Sequence, residues 1–123
     1  MEADIAVFQA CADATRLRIL FLLRTRELCV CELVEVLQMP QGKISRHLGV
    51  LKQAGLVQSR REGTWIYYAL KKASTGLTRR LVDYLKKEAG HDPLLARDLA
   101  SLQKLAKAGA LCGPRPAPRA ART

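Results

Sequence analysis

No run in this chain approaches the ~18 to 20 apolar residues that a bilayer-spanning helix requires, which excludes a helical membrane span. The opening residues, MEADIAVFQACADATRLRIL, are acidic at first and lack the ordered basic region, apolar run and small-residue cleavage site of a secretory signal. The expectation is a soluble, cytoplasmic protein. No Ser/His/Asp or Cys/His arrangement, Gly-rich phosphate loop or carboxylate pair stands out, and the Cys-x-Cys at 29–31 is not the Cys-x-x-Cys of redox enzymes. An enzyme is therefore not expected. In a reducing compartment the four cysteines, Cys11, Cys29, Cys31 and Cys112, read as metal-binding, redox-active or buried thiols rather than as a disulfide framework.

What the chain does contain is basic charge in one place. Residues 1–39 carry 4 Lys and Arg against 6 Asp and Glu, residues 40–72 carry 7 against 1, and residues 73–123 carry 10 against 4, within a net charge of +10. Such an excess favours an anionic partner, and its onset coincides with the segment that reads as a DNA-contacting helix. At 123 residues and 13.6 kDa the chain is one domain, small enough that a partner subunit would help it bury apolar surface. A folded unit is expected over residues 1–108. The Pro/Ala/Arg-rich remainder, 109–123, shows no apolar periodicity and reads as a disordered tail.

The elements read mainly α. A short helix over about 4–11 precedes one capped by Asp13, with Leu17, Leu20, Phe21 and Arg24 on a shared face. A third helix over 31–39 places Val30, Leu33, Val34 and Leu37 together and stops at Pro40. A fourth, from Gln41 to Ala54, repeats Ile44, Leu48 and Leu51 at i, i+4 and i+7 and ends at Gly55. Two apolar helices joined by MPQG match a helix-turn-helix, whose second helix normally enters the major groove. LVQSRREGTWIYYAL, 56–70, reads as a hairpin turning at Glu62-Gly63. Two amphipathic helices follow, one over 77–88 and one capped by Asp92 with Pro93 at its first position and Leu94, Leu95, Leu99, Leu102 and Leu105 as its stripe. These terminal stripes, with the first helix, look like a two-fold dimer interface.

ADATRLRILFLL, ELCVCELVEVL, KISRHLGVLKQAGLV and RREGTWIYYAL resemble the corresponding blocks of the ArsR/SmtB family of winged-helix, metal-responsive repressors, over roughly residues 5–88. ELCVC is similar to the arsenic- and antimony-responsive branch, and cadmium- and lead-sensing relatives use a similar pair. The resemblance implies a winged helix-turn-helix homodimer on a palindromic operator, released when thiolates capture arsenite or antimonite, with no organic cofactor. Two departures stand out. The third cysteine of well-known arsenic repressors, three residues after the pair, is Val34 here, and the helix over 77–88 lacks the Asp-x-His and His-x-x-Glu ligands of zinc-responsive relatives.

The chemistry of the pair agrees with that resemblance, because trivalent arsenic and antimony are soft centres that prefer three sulfur ligands and thiolates are the matching donors. Residues two apart on an ideal helix point about 200° apart, so Cys29 and Cys31 can share one ion only if Cys29 lies in a lead-in before the helix. The third ligand is left to Cys112, Cys11, a solvent oxygen or a buffer thiol, with Cys112 the candidate and Cys11 its alternative within the chain. A cadmium or lead response, or thiol redox sensing, remains the competing reading. On the fourth helix the side away from the buried face carries Arg46 and Gly49, flanked by Ser45, Lys52 and Lys43. Arg46 and Ser45 are the base-edge candidates, Gly49 allows close approach, and Gln41 stands at the helix start. Lys43, Lys52, Arg60 and Arg61 are expected at phosphates, and His47 is expected to pack at the helix boundary.

Overall fold

A computed structural model describes residues 1–109; the tail 110–123, and with it Cys112, lies outside the described residues. The chain order is α1 (Glu2–Cys11), α2 (Ala14–Leu23), β1 (Leu28–Cys29), α3 (Val30–Leu37), α4 (Gln41–Gln53), β2 (Val57–Glu62), β3 (Trp65–Leu70), α5 (Gly76–Lys87), a short 3-10 turn (Ala89–His91) and α6 (Pro93–Lys107). The helix signals read from the sequence act as physical caps. The Asp13 carboxylate accepts from the Arg16 amide at 3.0 Å, and Asp92 accepts from the amides of Leu94 and Leu95 at 2.9 and 3.2 Å. α3 ends when Gln38 turns left-handed, φ 54°, two residues before Pro40.

α2 is the axis of the core. Ile19, Leu20, Phe21 and Leu22 are all fully buried, so this helix is apolar nearly all round and not on the single face expected from Leu17, Leu20, Phe21 and Arg24. Leu17 and Arg24 are in fact only half-buried. Around α2 pack Leu33 and Leu37 of α3, the fully buried Ile44, Leu48 and Leu51 of α4, Leu85 of α5, and Leu95 and Leu102 of α6. Arg18 on α2 donates from Nε and Nη2 to both carboxylate oxygens of the buried Asp98 on α6, at 2.8 and 3.0 Å. Of the α6 stripe, Leu95 and Leu102 are buried inside the subunit, while Leu94, Leu99 and Leu105 are half-buried. Large apolar side chains left exposed include Ile5 and Phe8 on α1 and Tyr84 on α5.

The wing is three-stranded, in the order β1-β3-β2, with both pairings antiparallel. β2 and β3 turn at Gly63-Thr64, one residue later than expected, because Glu62 still pairs with Trp65. Gly63 takes the positive φ of 63° that this tight turn requires. The unforeseen strand is β1: Leu28 pairs with Tyr68 and Cys29 with Tyr67. Cys29 thus does precede the helix, as sharing one ion with Cys31 requires, and does so as a buried strand residue that is the N-cap of α3.

Candidate DNA-reading face and thiolate site

α4 buries the face that holds Ile44, Leu48 and Leu51 and turns the opposite one outward. Gln41, Lys43, Ser45, Arg46, Gly49 and Lys52 are all exposed, which is the arrangement a groove-reading helix needs. Lys52 donates to Ser59 Oγ at 2.9 Å and ties the end of this helix to β2. His47 sits at the joint between α4 and α2, where Arg16 Nη1 lies 3.2 Å from its Nδ1. A guanidinium only donates, so Nδ1 is the acceptor in this contact. Arg16 also donates to the Ala10 carbonyl at 2.6 Å, linking α4 to the end of α1. The Arg16 amide hydrogen bond, foremost, holds the Asp13 carboxyl below its ordinary range, against the opposing effect of burial. Val50, exposed on α4, escaped the sequence reading because an apolar residue on a polar face carries no periodic signal.

The two arginines of the wing part company. Arg61 is exposed. Arg60 donates from Nε and Nη2 to the Glu27 carboxylate at 2.9 and 2.6 Å and from Nη1 to Glu62 at 2.8 Å, with its guanidinium 4.5 Å from the Tyr67 ring centroid. Sequence reasoning treated Arg60 and Arg61 alike, since nothing local marks Glu27, 33 residues earlier, as a partner.

Across the sheet from Arg60 lies the Cys29–Cys31 pair. Cys29 Sγ and Cys31 Sγ are 2.7 Å apart, because Cys29 is extended, φ −88° and ψ 164°, while Cys31 stands in the first turn of α3. An ideal helix would have kept them on opposite sides. The Glu32 carboxylate reaches back to accept from the Cys29 amide at 2.8 Å, fixing the turn that bears both sulfurs. Burial, first, raises the Tyr67 hydroxyl, and the neighbouring Cys29 adds to that rise. Val34, where a third cysteine could have stood, is half-buried against the core. Cys11 is half-buried at the end of α1, and burial pushes its thiol up against the opposing pull of Arg16. Among the described residues no three His, Cys, Asp or Glu side chains gather as a metal site.

The family of bacterial regulatory proteins called arsR matches residues 13–59, from the cap of α2 to the middle of β2. An arsenical resistance operon repressor of Escherichia coli is 41% identical over 80 residues, which span 64% of this chain and 68% of that one. The chain belongs to the arsR family. An arsenic resistance transcriptional regulator of Pseudomonas putida is 52% identical over 65 residues, 52% of this chain, but the match spans only 51% of that relative's length. The homodimeric winged helix-turn-helix DNA-binding domain of a possible regulator of this family from Mycobacterium bovis superposes with a TM-score of 0.60 at 30% identity, covering 75% of this chain and 86% of the other. As an arsR-family member the chain is a DNA-binding transcriptional regulator and not an enzyme. No helix among the described residues is long and apolar enough to cross a membrane.

Proposed function

We propose that this protein is a repressor that holds a palindromic operator as a homodimer and lets go when its thiolates capture trivalent arsenic or antimony. The observation that carries the reading is the convergence of the Cys29 and Cys31 sulfurs, 2.7 Å apart, at the first turn of α3. Soft thiolates side by side fit a thiophilic centre, and the E. coli and P. putida relatives bear names of arsenic resistance. Their location supports the second half of the reading. α3 leads into α4 through only residues 38–40, so a change in its first turn is felt at the reading helix.

In the inducer-free state α4 enters the major groove. Arg46 and Ser45 meet base edges, Gly49 lets the backbone approach, Gln41 contacts DNA at the helix start, and Lys43, Lys52 and Arg61 meet phosphates. Arg60 retains N–H groups for a phosphate but is already committed to Glu27 and Glu62. Bound arsenic would supply a pyramidal centre that dictates the angle between its sulfur ligands; Cys29 and Cys31 give two of these, and Cys112 is the proposed third, with Cys11 as the alternative. The exposed Ile5, Phe8 and Tyr84 on α1 and α5 supply apolar surface for a second copy, and the basic balance of residues 40–123 suits the operator's phosphates.

Cadmium and lead are the second reading, favoured by a cadmium resistance transcriptional regulatory protein homolog of Staphylococcus aureus that is 39% identical over 69 residues. The test is a titration of the operator complex with arsenite, antimonite, cadmium, lead, zinc and peroxide. Release by arsenite and antimonite at the lowest concentrations is the expected result. Release by peroxide alone would move the pair to redox sensing.

A further inference from the structure

We infer that Glu27 and Arg60 are the positioning residues that carry thiolate capture at Cys29 into the wing, so that inducer acts on β2 directly as well as on α4. The inference rests on the proposed function and adds its route.

Cys29 pairs with Tyr67, and Tyr67 pairs on its other side with Arg60. Directly opposed residues of antiparallel strands project to the same face, so Cys29, Tyr67 and Arg60 form one row across all three strands. Two fixed links close that row. The Arg60 guanidinium lies 4.5 Å from the Tyr67 ring centroid, and its Nε and Nη2 grip both oxygens of Glu27, the residue that leads into β1. A bidentate arginine-carboxylate fork is directional as well as strong. Both groups are shielded, with the Arg60 and Glu27 side chains 31% and 22% exposed, so bulk water weakens the pair less than it would a surface one.

β1 is what makes the fork a transmitter. The strand is two residues long and ends at the sulfur-bearing Cys29, so it has no further ladder in which to absorb a shift. When Cys29 and Cys31 adjust to a shared ligand, the segment from Glu27 to Cys29 moves as a piece, and the fork moves Arg60 with it. Arg61, next along β2 and exposed, is thereby turned relative to the backbone it contacts. The reading helix reaches the wing separately, through an exposed bond from Lys52 to Ser59 and a backbone bond from the Leu56 amide to the Leu51 carbonyl.

Glu62 provides the internal control. It binds the same guanidinium at 2.8 Å but belongs to β2 itself, so its loss disturbs Arg60 without cutting the path from β1. The experiment compares Glu27→Gln and Glu62→Gln with the unaltered full chain, measuring arsenite uptake by thiolate-to-arsenic absorption and operator affinity with and without arsenite. The expected result is that Glu27→Gln takes up arsenite and holds the operator within about threefold of the unaltered chain, yet loses at least about fivefold of the arsenite-driven drop in affinity. Glu62→Gln should release like the unaltered chain. Without DNA, the Arg60 Nε–H proton resonance should shift on arsenite addition in the unaltered chain and be lost to solvent exchange in Glu27→Gln before any is added. Equal release by Glu27→Gln and the unaltered chain overturns the inference alone, as does an equal loss in Glu62→Gln. Failure of the unaltered chain to take up arsenite overturns the proposed function and this route with it.

Discussion

Arg46 and Arg61 are both exposed arginines, yet they stand on different elements and should fail differently when removed. Arg46→Ala should cost about 1–3 kcal/mol at one base position and relax preference there, whereas Arg61→Ala should weaken every operator variant alike. A panel of single-base operator variants, read by fluorescence anisotropy, separates the two. These outward positions were legible in the sequence because Ile44, Leu48 and Leu51 fix the buried side of α4 and a 3.6-residue period fixes the rest. Arg60 was not legible in the same way, since its partners are set by the sheet register and not by its neighbours. The third thiolate is likewise a single-residue matter. If Cys112 supplies it, ending the chain after Gly109 lowers the sulfur count on bound arsenic from three to two by X-ray absorption, while Cys11→Ser leaves three; the reverse pattern assigns the ligand to Cys11.

Among the elements, α6 depends on one buried pair. Asp98 is 2% exposed and holds Arg18 of α2 through two bonds, so Asp98→Ala leaves a guanidinium without its counter-charge in a largely buried seam. Breaking a buried pair from one side costs about 3–5 kcal/mol, and here about 3 kcal/mol is expected because the Arg18 side chain keeps 15% exposure. A lower urea midpoint with an unchanged slope would show it. Helix ends were readable in advance, because Asp13, Pro40, Gly55 and Asp92 act through local backbone chemistry. β1 was not. Two residues are too few for an alternating pattern, and Leu28 and Cys29 are extended because β3 offers them a ladder. The strand also changes the chemistry of the cysteine pair, since an extended Cys29 lets its sulfur meet that of Cys31.

For the molecule as a whole, the uncovered apolar residues of α1 and α5 and the charge excess from residue 40 onward suit one assembly, a dimer against a polyanion. Phe8→Asp should shift the protein to monomers in sedimentation and abolish tight operator binding, because each half-site alone gains too few contacts. Affinity for the operator should also fall steeply as salt rises, in proportion to the phosphates neutralised. The charge balance was plain in the sequence, but which residues of the α6 stripe stay inside the subunit was not, until Leu95 and Leu102 are seen covered by their own chain. The central claim joins these scales, with a thiolate pair at the junction of β1 and α3 setting the occupancy of a site read by α4. Its most direct test is operator occupancy against arsenite concentration for the unaltered chain beside Cys29→Ser and Cys31→Ser. The account predicts that all three bind operator alike without arsenite, that the unaltered chain loses about 5- to 150-fold in affinity as arsenite rises, and that both serine variants remain bound throughout. Release of the serine variants at the same arsenite concentration as the unaltered chain would contradict it.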